Sequence, residues 1–190
     1  MIRFRTTLTC STLFLTLAIT SHLAGCATAP AETQSERLDD NTGTTLTLMP
    51  KPVELVVEKS RGAKSDPFAY VAPFETNRMG SHELFLWVSA PQPGAALSVP
   101  QLYCGDSLVP LEKFDGTPKE MGLSSAPYKM PAPWSTQWYF KLSGEVLDCM
   151  ASASRIRITT QASDATEPDN YVAEKEAISG VNAFLSRVRT

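Results

Sequence analysis

Hydrophobic and polar residues alternate along much of this chain with the period of two expected of half-buried strands. Thr44-Thr45-Leu46-Thr47-Leu48 and Val53-Glu54-Leu55-Val56-Val57 read as opening strands separated by Pro50 and Pro52. Residues 83–88, Glu-Leu-Phe-Leu-Trp-Val, are apolar on both faces and suit a central strand covered on both sides. Residues 99–103 and 108–114 flank Cys104-Gly105-Asp106-Ser107, where Gly105 and Asp106 fit a two-residue hairpin turn, and Pro100 and Pro110 suggest edges or bulges. The clearest alternation sets Thr136, Trp138, Phe140 and Leu142 against Gln137, Tyr139, Lys141 and Ser143, and it is matched by Ile156, Ile158 and Thr160 against Arg155, Arg157 and Thr159. A short helical turn near residues 145–150 joins these two strands.

Toward the end the period changes. Ala177, Ile178, Val181, Phe184, Leu185 and Val188 recur at three- and four-residue intervals, which predicts an amphipathic helix over 170–189 with Asp169 or Asn170 as its cap. Gly180 in its middle costs up to about 1 kcal/mol relative to alanine, so the stripe is expected to pack on an open side of the strands or, alternatively, to dock on a partner. These patterns predict a mainly β fold, an Ig-like antiparallel β-sandwich with a C-terminal amphipathic helix. It forms one domain over 44–190, with no internal repeat.

The N-terminus has a different character. Arg3 and Arg5 precede an apolar stretch from Leu8 to Ile19, too short to span a bilayer, which takes about 20 residues. Leu23-Ala24-Gly25-Cys26 follows. This order resembles the signal peptide and lipobox of bacterial lipoprotein precursors. The resemblance covers only the export segment and implies that residues 1–25 are cleaved, that Cys26 becomes the lipidated first residue, and that acyl chains hold the protein on a membrane. In such lipoproteins an aspartate after the lipidated cysteine favours inner-membrane retention. Ala27 stands there instead, so an outer-membrane location facing the periplasm is expected. Residues 27–43 hold one large aliphatic residue, Leu38, among polar ones, so 26–43 reads as a lipidated flexible tether with a reach of about 20 to 25 Å.

Cleavage would take Arg3 and Arg5 from the 17 basic residues and none of the 20 acidic ones, leaving a net charge of −5. No basic run marks a nucleic-acid footprint. Cys10 leaves with the leader and Cys26 is lipidated, so Cys104 and Cys149 remain as the natural disulfide pair of an oxidising compartment.

Candidate chemistry is sparse. His22 leaves too, so His82 is the sole imidazole base, with Glu83 beside it to orient it; a histidine-rich metal site is excluded, and no cofactor motif occurs. Ser107 and Ser135 cannot be placed near His82 from sequence. Asp106, Asp115, Glu120 and Asp148 fall in predicted turns, where aspartate is common for turn-forming reasons, although paired carboxylates could support a carboxylate-based enzyme site.

The long insertion 115–133, rich in Pro and Gly, carries Met121, Tyr128 and Met130 and leads into Trp134. Tyr128, Met130 and Trp134 are candidate partner-binding residues, because such side chains give large contact area at little entropy cost; alternatively the loop lies over a sheet edge with its aromatics in the core. Lys141, Arg155 and Arg157, sharing an outward face with Tyr139 on two neighbouring strands, form either a solvated surface or a small basic patch for an acidic partner or anionic headgroup. The reading that follows is a non-catalytic binding or adaptor module of the cell envelope with an envelope protein as its expected partner. The alternatives are an inhibitor or immunity-type protein that neutralises an envelope hydrolase or toxin, and an enzyme.

Overall fold

A computed structural model describes residues 35–58, 68–92 and 94–188. The expected leader 1–25, Cys26 and the tether as far as residue 34 lie outside the described residues. The fold is mainly β and antiparallel, sandwich-like, with two helices, one of them C-terminal, and its strands form a curled half-barrel.

The strands are β1 (Ser35–Asp39), β2 (Thr44–Leu48), β3 (Val53–Val57), β4 (Phe68–Arg78), β5 (Ser81–Pro91), β6 (Gln101–Cys104), β7 (Ser107–Val109), β8 (Glu112–Phe114), β9 (Ser135–Lys141), β10 (Arg155–Thr160) and β11 (Asp169–Glu174). Helix α1 (Gly144–Ser152) follows β9, and α2 (Lys175–Val188) ends the fold. The ladder runs β7-β6-β10-β11-β3-β4-β5-β9-β8, with β1 paired to β2 and β2 to β4.

The long β4 carries two partners in succession. Its first half pairs with β3, Val53 opposite Val71, and its second half with β2, Leu48 opposite Phe74. Pro73 stands at the changeover, where its missing N–H removes no bond that either partner needs.

Alternation sorts the side chains into two cores. On the inner face Leu55, Val71, Leu86, Val88, Phe140, Ile156, Ile158 and Tyr171 meet Val146, Leu147 and Met150 of α1 and Ile178, Val181, Phe184 and Leu185 of α2. The stripe of α2 therefore packs on its own domain. On the outer face of β2, β4, β5 and β9, Leu46, Leu48, Phe74, Phe85, Trp87 and Tyr139 meet Met121, Leu123 and Tyr128 of the 115–133 insertion. Strand β5 faces both cores, as its doubly apolar sequence requires: Leu86 and Val88 turn one way, Phe85 and Trp87 the other.

The β6–β7 hairpin turn stands where it was expected. Cys104 pairs with Ser107 across a two-residue turn whose first position, Gly105, has φ of 59°, the left-handed backbone that glycine supplies in a II′ turn. Ser143 caps α1 by accepting the Val146 N–H. Cys104 and Cys149 form a disulfide with Cα atoms 6.0 Å apart, which fixes the hairpin to α1.

Two boundaries differ from the sequence reading. Residues 35–39, expected in the tether, form β1, because their backbone pairs with β2 from Ser35 opposite Leu48 to Asp39 opposite Thr44. Leu38 is exposed, so the strand is held by hydrogen bonding and leaves no hydrophobic pattern. The C-terminal helix begins at Lys175, not at 170, because Tyr171 and Ala173 alternate inward opposite Ile158 and Ile156, continuing the sheet through Glu174.

Candidate interaction site

The insertion 115–133 begins beyond the edge strand β8 and is folded over the outer core. Thr117 and Glu120 close a capping box around a 3-10 turn at Pro118–Met121: the Thr117 N–H and hydroxyl both donate to the Glu120 carboxylate, at 2.6 and 3.0 Å. These donors hold Glu120 below its usual carboxylate range. Gly122 ends the turn with φ of 80°, and Met121 and Leu123 on either side are driven into the core.

Asp39 fastens this cover from the opposite side. Its carboxylate accepts the Ser124 N–H at 2.6 Å and hydroxyl at 2.8 Å, and the Asn41 N–H at 3.2 Å. The Ser124 backbone donor, then its hydroxyl, lower the Asp39 pKa. Sequence reasoning assigned Asp39 to the tether and missed this role.

Tyr128 is the deepest part of the cover, not an exposed contact residue. Its ring lies 5.0 Å from the Trp87 ring centre and 6.3 Å edge-on to Phe74. Its hydroxyl donates to the Pro73 carbonyl at 3.0 Å and accepts the Met49 N–H at 3.1 Å. It thus satisfies two backbone groups where β4 changes from β3 to β2. Burial pushes its phenol pKa up strongly, and that of Tyr139 in the same cluster to about 12.

The two other candidates stand outside. Met130 and Trp134 are 45% and 53% exposed, at the point where the chain leaves the cover for β9. Pro131 and Pro133 fix φ between them, the Ser135 N–H donates to Ala132 O at 3.1 Å, and the Gln92 N–H to Trp134 O at 2.8 Å. Residues 130–134 therefore form an apolar, preorganised tip on the end of the sheet where β5 finishes.

The catalytic candidates disperse. His82 Nδ1 lies 2.7 Å from Glu75 on the neighbouring strand, not against Glu83, which pairs with Lys141 at 3.3 Å. Ser135 sits opposite Pro91 at the far end of the 11-residue β5, roughly 30 Å from His82 at about 3.3 Å per residue. Asp106 occupies the β6–β7 turn, and Asp148 lies within α1, not in a turn. Asp115 pairs with Lys113 at 2.5 Å, and Glu120 is committed to Thr117. Among the described residues no group of three or more His, Cys, Asp or Glu side chains could hold a metal ion.

The basic patch is also rearranged. Strands β9 and β10 are not neighbours, since β10 lies between β6 and β11 and β9 between β5 and β8. Tyr139 is buried, Lys141 lies near the Phe114 ring, and Arg155 pairs with Glu58 and Glu174. Arg157 has no carboxylate partner among the described residues and lies 4.2 Å over the Tyr103 ring. No helix among the described residues is long and apolar enough to cross a membrane. Comparison with protein-family models, curated proteins and solved structures finds no match for this chain.

Proposed function

We propose that the chain is a cell-envelope lipoprotein, held on the outer membrane through lipid on Cys26 and facing the periplasm, that acts as a non-catalytic adaptor for another envelope protein. The anchor rests on Leu23-Ala24-Gly25-Cys26 and the apolar segment before it. The observation that carries the adaptor reading is the tip at 130–134. A methionine and a tryptophan are held outward by two prolines, on a loop root locked into the core by Tyr128. Large side chains that are already ordered lose little entropy on binding, the property of interface anchors.

The test is capture of partners from solubilised envelopes by the wild-type protein and by Met130→Ala/Trp134→Ala. Loss of a defined protein partner, with folding stability within about 1 kcal/mol of wild type, is expected for a surface anchor. Undiminished capture would refute the reading. If the captured protein is a hydrolase or toxin whose activity falls on binding, the adaptor is an inhibitor. Separately, Cys26→Ser should accumulate as unprocessed precursor without fatty-acid label; normal labelling would remove the anchor.

A further inference from the structure

The outer face of the sheet is covered by the 115–133 insertion over β2, β4, β5 and β9 only. Over β6, β10 and β11 it is open, and there it forms a groove of about 490 Å³. Gln101 and Tyr103 of β6, Arg157 and Thr159 of β10 and Asn170 of β11 form its floor, with Ser98, Gln161 and Pro168 at its end. The register places them side by side, Tyr103 opposite Arg157, Gln101 and Asn170 on either side of Thr159.

The hydrogen bonds within the groove are one-sided. The Thr159 hydroxyl donates to Asn170 Oδ1 at 2.7 Å, and the Tyr103 hydroxyl to Gln101 Oε1 at 3.2 Å. Both amide oxygens are thereby occupied, and both amide NH₂ groups are left as donors. Arg157 is fixed by stacking on Tyr103 and has no carboxylate partner among the described residues, whereas the adjacent Arg155 takes both Glu58 and Glu174. Arg157 Nε is buried without a hydrogen-bond acceptor. A guanidinium seated over an aromatic ring, two residues along β10 from the Thr159 position that Gln101 and Asn170 flank, lacks acceptors, and an oxyanion supplies them.

We propose that this groove binds a small ligand bearing one oxyanion, a carboxylate or a phosphate, which Arg157 grips while Gln101 and Asn170 donate to its oxygens. Neither the tip at 130–134 nor the lipid anchor takes part, so the site is independent of the adaptor reading.

The test uses the ¹⁵N-labelled full-length chain in a neutral detergent. It follows the Arg157 Nε–H and the Gln101 and Asn170 side-chain amide signals during titration with galacturonate, inorganic phosphate and, as neutral control, galactose. Saturable shifts of these three residues with either anion and none with galactose are expected. Vesicles of phosphatidylglycerol, compared with phosphatidylcholine, separate a lipid headgroup from a soluble anion; saturation by phosphatidylglycerol alone supports the site with a lipid as the oxyanion's source. Arg157→Gln should weaken binding roughly tenfold or more, as loss of a charged hydrogen-bond partner implies, and Arg155→Gln far less. Should Arg157→Gln not fold, Gln101→Ala on the exposed end of β6 serves in its place and should weaken binding while leaving the fold intact. Absence of saturable shifts with every anion, or equal weakening by the Arg155 substitution, would overturn the proposal.

Discussion

Replacing Tyr128 separates the part of the loop that holds the fold together from the part that faces solvent. Tyr128→Phe keeps the ring against Trp87 and Phe74 but removes the hydroxyl that joins Pro73 O to Met49 N–H. Both backbone groups would then be buried without that partner, and each such orphan costs about 1 to 3 kcal/mol. The shared site leaves room for partial relaxation, so a loss of about 2 kcal/mol is expected. Tyr128→Ala adds the cavity left by an almost fully buried ring and should lose about 3 to 5 kcal/mol. Trp134→Ala and Met130→Ala, which truncate exposed groups, should each stay within about 1 kcal/mol of wild type. Urea unfolding followed by far-UV circular dichroism gives the free energies, provided the slope with denaturant is unchanged.

The same residue has an alkaline signature. Burial raises the Tyr128 phenol above its ordinary value of 10.0, so the folded state resists an ionisation that the unfolded chain undergoes near pH 10. The stability is complete below pH 10 and falls as pH rises above it. Tyr128→Phe should fall less steeply, retaining the contribution of Tyr139, whose pKa is pushed to about 12. A Tyr128→Ala protein as stable as wild type would refute the core assignment, and a Trp134→Ala protein as unstable as Tyr128→Ala would refute the exposed tip.

Three further outcomes are expected. Cys104→Ala and Cys149→Ala should each lose about 4 kcal/mol by the chain-entropy argument, with the double mutant hardly worse; two free thiols in the denatured, unreduced protein would exclude the bridge. Gly180→Ala should raise stability by up to about 1 kcal/mol, because the added methyl meets only Met49 Cε at 3.5 Å; a lower urea midpoint would contradict that packing. Asp39→Ala should loosen the cover only where the carboxylate is ionised. Because folding lowers the Asp39 pKa, its contribution is complete above the unfolded value of about 3.8 and is lost as pH falls through the folded one. The urea-midpoint difference from wild type should therefore be constant above that value and shrink below it, and a difference independent of pH would show that the charge is not involved.

Much of the fold is legible in the sequence because strands with one buried face must alternate, and β2, β3, β9 and β10 do so within a residue or two of their expected bounds. Strand β1 escapes this signal because it contributes backbone bonds and almost no buried side chain, while β11 merges with the helix stripe that follows it. Partnership escapes it too. The outward Lys141 and Arg157 look equivalent along the chain, yet only the ladder order separates β9 from β10 and sets Arg157 opposite Tyr103. The loop poses the harder problem, because a buried plug and a binding surface draw on the same side chains. Tyr128 and Trp134 stand six residues apart in one proline-rich segment, and composition cannot distinguish them. The difference lies in what each polar atom can reach. At the break between β2 and β3 two backbone groups need a partner that can both donate and accept, and the Tyr128 hydroxyl meets that need from a ring that fits between Trp87 and Phe74. The requirement is set by Pro73, 55 residues earlier in the chain, so the loop read in isolation leaves core and surface as open alternatives for Tyr128.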